Sequence, residues 1–366
     1  YKAAVEKGIP MMTRADLLGQ LMTNYKTSIA VSGTHGKTST TSMASHILLA
    51  AEKDPTISVG GILKAIHGNI RVGGHDTFIT EACEYTNSFL SFFPTISIIL
   101  NIDADHLDFF KNIDDIRHSF RLFAEKLPEN GILIINSDIP NYEEITKGLP
   151  CRTVTYGSSA DSEYSASDIT FDDHAHPPFT FVKKGQPVAQ VSLKVPGIHN
   201  VWNATAALAL GDLLGIDIET MKKGLSEFSG ADRRFEKKGE IGGVTIIDDY
   251  AHHPTEIMAT LKAAKNCPHK KLWCVFQPHT YTRTKALMED FAKALSMADE
   301  VVLADIYAAR ETDNLGITSD TLREKIEALG TPAHYFRSFD AIENYLLENA
   351  ESGDLLLTMG AGDVYQ

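Results

Sequence analysis

Cysteine is scarce in this chain, with four among 366 residues, and Cys83, Cys151, Cys267 and Cys274 form no C-x-x-C pair. That spacing excludes a disulfide scaffold and points to structural thiols in a reduced, cytoplasmic protein. Long hydrophobic runs are missing as well. The longest, such as Pro94 to Leu100, have only strand length, so no membrane span is expected, and nothing near Tyr1 reads as a signal peptide. Positive charge is outweighed: 34 Lys and Arg stand against 48 Asp and Glu, a formal net charge of -14 at pH 7. With no basic stripe to offset it, this balance excludes broad nucleic-acid binding and leaves any small anionic ligand to local basic groups. Short repeats, low-complexity tracts and coiled-coil heptads are also absent. A content of 43% hydrophobic and 22% charged residues describes a folded chain, and its length suits two or three domains.

What is present is organised around Ile29-Ala30-Val31-Ser32-Gly33-Thr34-His35-Gly36-Lys37-Thr38-Ser39-Thr40-Thr41. Ile29 to Val31 suit a buried parallel strand, and Gly33 and Gly36 allow a tight turn. Thr40, Met43, Ala44, Ile47, Leu48 and Ala51 then mark one face of a helix starting near Lys37. Free N–H groups at the positive helix end, with the Lys37 ammonium, would hold the β and γ phosphates of a nucleotide while Thr38 reaches Mg2+. The general phosphate-loop pattern has a glycine where this chain has Val31, so the loop is a shortened form. A glycine-rich turn without nucleotide is the alternative reading.

Along the chain, Thr13 is placed to cap a helix from about Arg14 to Met22. Buried strands are expected at 56–59, 77–80, 95–100, 132–135 and 152–156, alternating with helices at 113–124 and 140–147, which is the pattern of a parallel sheet. Alternation between Ile169 and Val195, with a Lys184-Gly185 turn, predicts antiparallel hairpins as a small β extension. Helices at 201–214 and 219–228 lead to a hinge-like Gly230-Ala231-Asp232-Arg233-Arg234. Beyond it strands at 244–247, 271–276, 301–304, 333–336 and 355–358 alternate with helices at 254–265, 283–297, 319–329 and 340–349, a second, doubly wound sheet. The expected fold is α/β: a phosphate-loop domain over 27–234 and a Rossmann-like domain over 235–366.

Polar clusters fall at the carboxyl ends of these strands. Glu81 and Glu84 end one strand, and Asp103, Asp105 and His106, with Asp108, follow the next, so oxygen and nitrogen ligands for a divalent metal would face Lys37. Glu81 and His106 are the expected metal ligands; solvated loop tips are the alternative, above all for the other acids. His199, Asn200 and Asn203 share a helix face suited to a base or ribose edge, although Asn200 serves equally well as a helix cap. In the second sheet, Asp248-Asp249-Tyr250-Ala251-His252-His253-Pro254 and Gln277-Pro278-His279-Thr280-Tyr281-Thr282-Arg283 crowd one rim, where Arg283 suits a carboxylate or phosphate. Helix caps and surface histidines are the alternative, and with no third ligand at zinc spacing, zinc is not expected. Met359-Gly360-Ala361-Gly362-Asp363 reads as either a plain loop or a ligand contact.

Together these residues resemble the ATP-dependent Mur ligases of peptidoglycan synthesis. The carriers are Gly33-Thr34-His35-Gly36-Lys37-Thr38, Glu81-Ala82-Cys83-Glu84, Asp105-His106, His199-Asn200 with Asn203, Gly230 to Phe235, Asp249-Tyr250 with His252 to Glu256, and Gln277-Pro278-His279. The resemblance covers essentially the whole chain, and the shortened loop is the family's own form. It implies a central ATPase domain and a C-terminal dinucleotide-fold domain, with residues 1–26 as the tail of an otherwise missing UDP-binding domain. It further implies Gly33 to Ser39, Lys37 and Thr38 above all, at ATP and Mg2+. Thr38, Glu81 and His106 would hold the metal, His199, Asn200 and Asn203 would lie near adenine and ribose, and Arg234 near phosphate. Tyr250, His252, His279 and Arg283 would meet the substrates. Where some relatives carry arginine after Gln-Pro-His, this chain has Thr280, which removes one anion contact.

The activity so implied joins the lactyl carboxylate of UDP-N-acetylmuramate to the amine of L-alanine through an acyl phosphate. Activation is needed because both groups are ionised near neutral pH, and their mixture would stay a salt. Lys37 and Mg2+ would spread phosphoryl charge, and His252 or His279 would accept the amine proton. A monomer or weak homodimer in the cytoplasm is expected. Two other readings share these residues: a ligase joining a recycled tripeptide to the same UDP-sugar, and a scaffold that binds ATP without catalysis.

Overall fold

A computed structural model describes residues 2–107, 109–172 and 176–365. Asp108, one of the acids noted above, and residues 173–175 of the expected β extension lie outside the described residues. Ten strands build the first sheet: β1 (Thr27–Ser32), β2 (Thr56–Leu63), β3 (Gly68–Arg71), β4 (Thr77–Glu81), β5 (Ile96–Ile99), β6 (Ile132–Asn136), β7 (Arg152–Gly157), β8 (Tyr164–Ser167), β9 (Phe179–Lys183) and β10 (Gln186–Val191). Their order is β10-β9-β8-β7-β6-β5-β1-β4-β2-β3, parallel from β8 to β2 and antiparallel at the two ends. β1 is central, and Ile29, Ala30 and Val31 are wholly buried, as a strand covered on both faces requires. The β extension is one hairpin with Lys184 and Gly185 both at positive φ, 49° and 73°, joined to β8 on its other side.

Helices cover both faces of this sheet. On one, Lys37–Ala50 packs between Ile198–Leu213 and Ile218–Glu227 over Val31, Ile79 and Ile98. The approach is close enough that a Cβ on Gly224 would stand 2.7 Å from the Ile47 Cα, so a larger residue there would push the phosphate-loop helix off its bed. On the other face Ile113–Ala124 lays Phe120 and Phe123 against Phe89, all fully buried. Asn112 caps it by accepting from the Asp115 N–H at 3.0 Å. Thr13 caps Arg14–Met22 as expected, its hydroxyl accepting from the Asp16 N–H at 3.1 Å.

The second sheet holds β11 (Glu236–Ile241), β12 (Val244–Asp249), β13 (Leu272–Phe276), β14 (Glu300–Leu303), β15 (Ala333–Tyr335) and β16 (Leu355–Met359), in the order β11-β12-β16-β13-β14-β15. Only β11 runs antiparallel. Ile257, Leu261, Phe291 and Leu322 fill one face, and Ile342 and Leu356 belong to the core on the other. Three expectations need correction. The helix expected over 283–297 is two, Tyr281–Ala286 and Met288–Leu295, because Leu287 leaves helical geometry at φ -112°, ψ 22° between them. β3 and β11 were not expected as strands: both are edges, mostly exposed and polar, so they carry no apolar alternation. The helix expected from 201 begins at Ile198.

Candidate functional site

The turn after β1 is fastened to the segment that follows β5. Thr34 N–H donates to the Asn101 carbonyl at 3.2 Å, His35 N–H to Asn101 Oδ1 at 2.7 Å, and Asp103 N–H to Thr34 Oγ1 at 2.9 Å. Gly36, at φ 83°, is the N-cap of Lys37–Ala50, and a Cβ there would stand 2.7 Å from Asn203 Oδ1. No side chain caps this helix, so its first N–H groups carry no side-chain acceptor, an arrangement that suits an anion. The Lys37 ammonium donates to the Gly33 carbonyl at 2.5 Å, the Thr34 carbonyl at 3.1 Å and Glu84 Oε2 at 2.9 Å. Burial works against its charge, but Glu84 leads the nearby groups that raise its pKa overall.

Beside the loop lies a cleft of about 210 Å³ lined by His35, Gly36, Ser39, His199, Asn200, Asn203 and Arg234, together with Tyr156 and Trp202. Asn200 does not cap its helix, since Gly197 holds that place. Its Nδ2 donates to the Pro196 carbonyl at 2.8 Å, and its Oδ1 accepts from Asn203 Nδ2 at 3.1 Å. Burial pushes the His199 imidazole down to about 4, and its Nδ1 has no hydrogen-bond partner. Neutral, buried and unpaired, that nitrogen suits a base edge.

Across the cleft the two sheets meet at His35. Its Nδ1 lies 3.1 Å from Glu256 Oε1 and its Nε2 3.1 Å from Asp103 Oδ2, the latter out of line for a hydrogen bond. Burial opposes its protonation, yet Glu256 and Asp103 overcome this and raise it to about 9. Glu256 also stands 3.9 Å from Arg234 and 3.3 Å from His252 Nδ1, and despite burial the neighbouring imidazoles of His252 and His35, with Arg234, hold its carboxyl well down. Asn101, Asp103 and Glu256 join this cleft from far along the chain; in the sequence Asp103 stands out only as a polar residue after an apolar strand and Glu256 only within the His252 to Glu256 motif.

A larger cavity, about 590 Å³, opens between the sheets. Tyr250, His252, His279, Thr280 and Arg283 line it from the second, and Tyr85, Asp105 and His106 from the first. Arg283 Nε donates to Asp105 Oδ1 at 3.0 Å, and His253 Nε2 lies 3.3 Å from the Ala104 carbonyl, so this rim is tied to the loop after β5. His253 also caps the helix Pro254–Ala264. Burial brings His252 down to about 4, with Arg283 acting in the same direction, and burial lowers His279 and His106 too. Three neutral imidazoles thus face one cavity. The loop Gly360–Gly362 is used internally, its carbonyls accepting from Arg233.

The expected metal ligands sit on the near side. Glu81 ends β4 beside Val31, and its Oε1 accepts from the Gly60 N–H at 2.6 Å. The Thr38 methyl would lie 3.2 Å from a Cβ on Gly61, so both side chains border one glycine pair. His106 Nε2 is 3.7 Å from Glu84 Oε1. Among the described residues no three His, Cys, Asp or Glu side chains form a ready cluster for a metal. The Thr38 hydroxyl and Glu81 carboxylate nevertheless fit Mg2+, a hard cation that takes oxygen ligands, keeps several waters and leans on substrate phosphates, while the His106 imidazole is a softer ligand type that Mg2+ takes less readily.

A phosphate-loop domain coupled through a shared cleft to a second α/β domain is the arrangement of an amide-forming ATPase, and the chain belongs to the Mur ligase family. It matches the Mur ligase middle domain over residues 31–211 and the Mur ligase glutamate ligase domain over residues 233–362. It is 60% identical to UDP-N-acetylmuramate--L-alanine ligase of Lachnospira eligens, over all of this chain and 80% of that protein, and 60% identical to that of Agathobacter rectalis, with the same coverage. The crystal structure of UDP-N-acetylmuramate-alanine ligase from Thermotoga maritima superposes with a TM-score of 0.83 at 30% identity, covering 100% of this chain and 79% of that one. A murein peptide ligase from Psychrobacter arcticus shares the fold, with a TM-score of 0.71 at 24% identity over 99% and 80% of the two chains.

Proposed function

We propose that this protein joins the lactyl carboxylate of UDP-N-acetylmuramate to the amine of L-alanine at the expense of ATP, in cytoplasmic peptidoglycan precursor synthesis. The observation that carries this reading is the adjacency of two rims. Lys37, Glu81 and His106 belong to the domain of the first sheet, and the cavity that His106 lines is closed by Tyr250, His252, His279 and Arg283 of the second. The names of the relatives at 60% identity support L-alanine over a peptide as the amine. Four free cysteines, and the absence of any helix long and apolar enough to cross a membrane among the described residues, accord with a cytoplasmic enzyme.

In the first step a carboxylate oxygen bonds to the γ-phosphorus and the bond to ADP breaks; in the second the amine bonds to the carbonyl carbon and phosphate leaves. Lys37 and the open N–H groups at Gly36 to Thr38 hold phosphate, and His199, Asn200, Asn203 and Arg234 line the place for base, ribose and phosphate. Thr38, Glu81 and His106 would hold Mg2+, whose charge offsets that on the transferring phosphoryl. His252 and His279 arrive neutral, able to accept the proton the amine must lose. Arg283 and Tyr250 orient the acid and amine. The deciding experiment is the product mass after incubation with ATP, UDP-N-acetylmuramate and a mixture of amino acids and tripeptide. L-alanine addition is expected; tripeptide addition would move the assignment to the recycling reaction, and no product would leave an ATP-binding scaffold.

A further inference from the structure

We propose that Glu84 is a positioning residue for Lys37 that stands in for phosphate until a nucleotide arrives. This rests on the reading of the 33–38 loop as a nucleotide site. An ammonium has three N–H donors, and here all three are engaged, by the Gly33 carbonyl, the Thr34 carbonyl and Glu84 Oε2. None is left for a phosphate oxygen unless one contact opens. Two of these acceptors are neutral carbonyls of the turn itself; only Glu84 brings a negative charge from another segment. Exchanging that carboxylate for phosphate keeps the ammonium paired with an anion throughout.

The surroundings of Glu84 set the energetic balance. Its side chain is 2% exposed, and Oε1 is buried with no hydrogen-bond partner, 3.7 Å from His106 Nε2. A carboxylate half-satisfied in this way is weak evidence of a stabilising role, because the solvation a buried charge loses can exceed what one ion pair returns. Held against Lys37, it instead keeps the ammonium at the loop and prevents an unpaired cation from collapsing the turn. Nucleotide binding must then work against the loss of this pair, so the Lys37–Glu84 contact lowers affinity for nucleotide in exchange for a preformed loop.

The test is calorimetric titration of ADP, without magnesium, into the wild-type protein and into Glu84→Gln, Glu84→Asp, Lys37→Met and the Glu84→Gln/Lys37→Met double variant. Glu84→Gln removes the competing charge at nearly constant shape, and its ADP Kd is expected to fall about tenfold. Glu84→Asp, whose shorter side chain weakens the contact, should move the same way by less. In the Lys37→Met background the gain should vanish, which isolates the pair. An unchanged or weaker Kd in Glu84→Gln, or in Glu84→Asp should the first variant not fold, would overturn the proposal, as would an equal gain without Lys37. Failure of the wild-type protein to bind ADP would overturn the nucleotide reading itself and this inference with it.

Discussion

The phosphate-loop end of the site and the His252 rim use the same residue type in opposite ways. At the loop, His35 is flanked by Glu256 and Asp103 and rises to about 9, so it is a cation at neutral pH. At the rim, burial beside Arg283 takes His252 down to about 4, so it is a neutral base. Both histidines touch Glu256. Burial alone does not decide the charge of an imidazole; the count and sign of its neighbours does. One carboxylate shared by two sheets, reinforced by Asp103, therefore keeps His35 charged, while at His252 burial and Arg283 outweigh the same carboxylate.

That contrast can be attacked at several points. The largest effect is expected from Lys37→Met, which removes the loop's ammonium: turnover should fall by roughly 10³-fold, measured as phosphate release with all substrates present. Arg283→Leu should cost about 3 kcal/mol in urea unfolding, because it leaves Asp105, buried beneath it, without its partner. Since Arg283 holds the Asp105 carboxyl well below its usual range against the opposing effect of burial, this deficit should be present at neutral pH and shrink as pH falls and the unpaired acid takes up a proton.

The two histidines should also leave opposite signatures in the pH dependence of stability. His35 has its folded pKa raised, so its contribution is full below about 6.5 and is lost as pH climbs to about 9, on the order of 3 kcal/mol. Glu256→Gln should flatten that alkaline slope. His252 has its folded pKa depressed, so stability should instead fall as pH drops from 6.5 to about 4, where the unfolded chain binds a proton that the native one refuses. His252→Gln should soften only the acid side, and an alkaline change with that variant would contradict the division of roles. The smallest effect is expected from Gly36→Ala, about 1–2 kcal/mol from positive φ and contact with Asn203, read as a lower melting temperature.

Much of this was legible in the linear order of residues. Strand, turn and helix at Ile29 to Ala51 are contiguous, so periodicity and two glycines suffice to mark them, and most buried strands of the parallel sheets announce themselves as apolar runs, whereas β8, with serines at alternate positions, does not. The edges β3 and β11 did not, because strands such as Glu236–Ile241 are held by one neighbour and keep their polar faces in water. The break at Leu287 was hidden for another reason: no proline or glycine marks it.

The sequence by itself determined that a glycine turn between strand and helix, two α/β units and their polar strand ends exist, since these follow from local backbone preference and from burial of apolar runs. Only the tertiary structure decided which polar ends meet. That Lys37 is held by Glu84, that Arg283 reaches Asp105 across 178 residues, and that His35 is charged while His252 is not depend on distances between separate segments. Charge and proton affinity are set by what lies within a few ångströms in space, and such proximity is written in no stretch of chain.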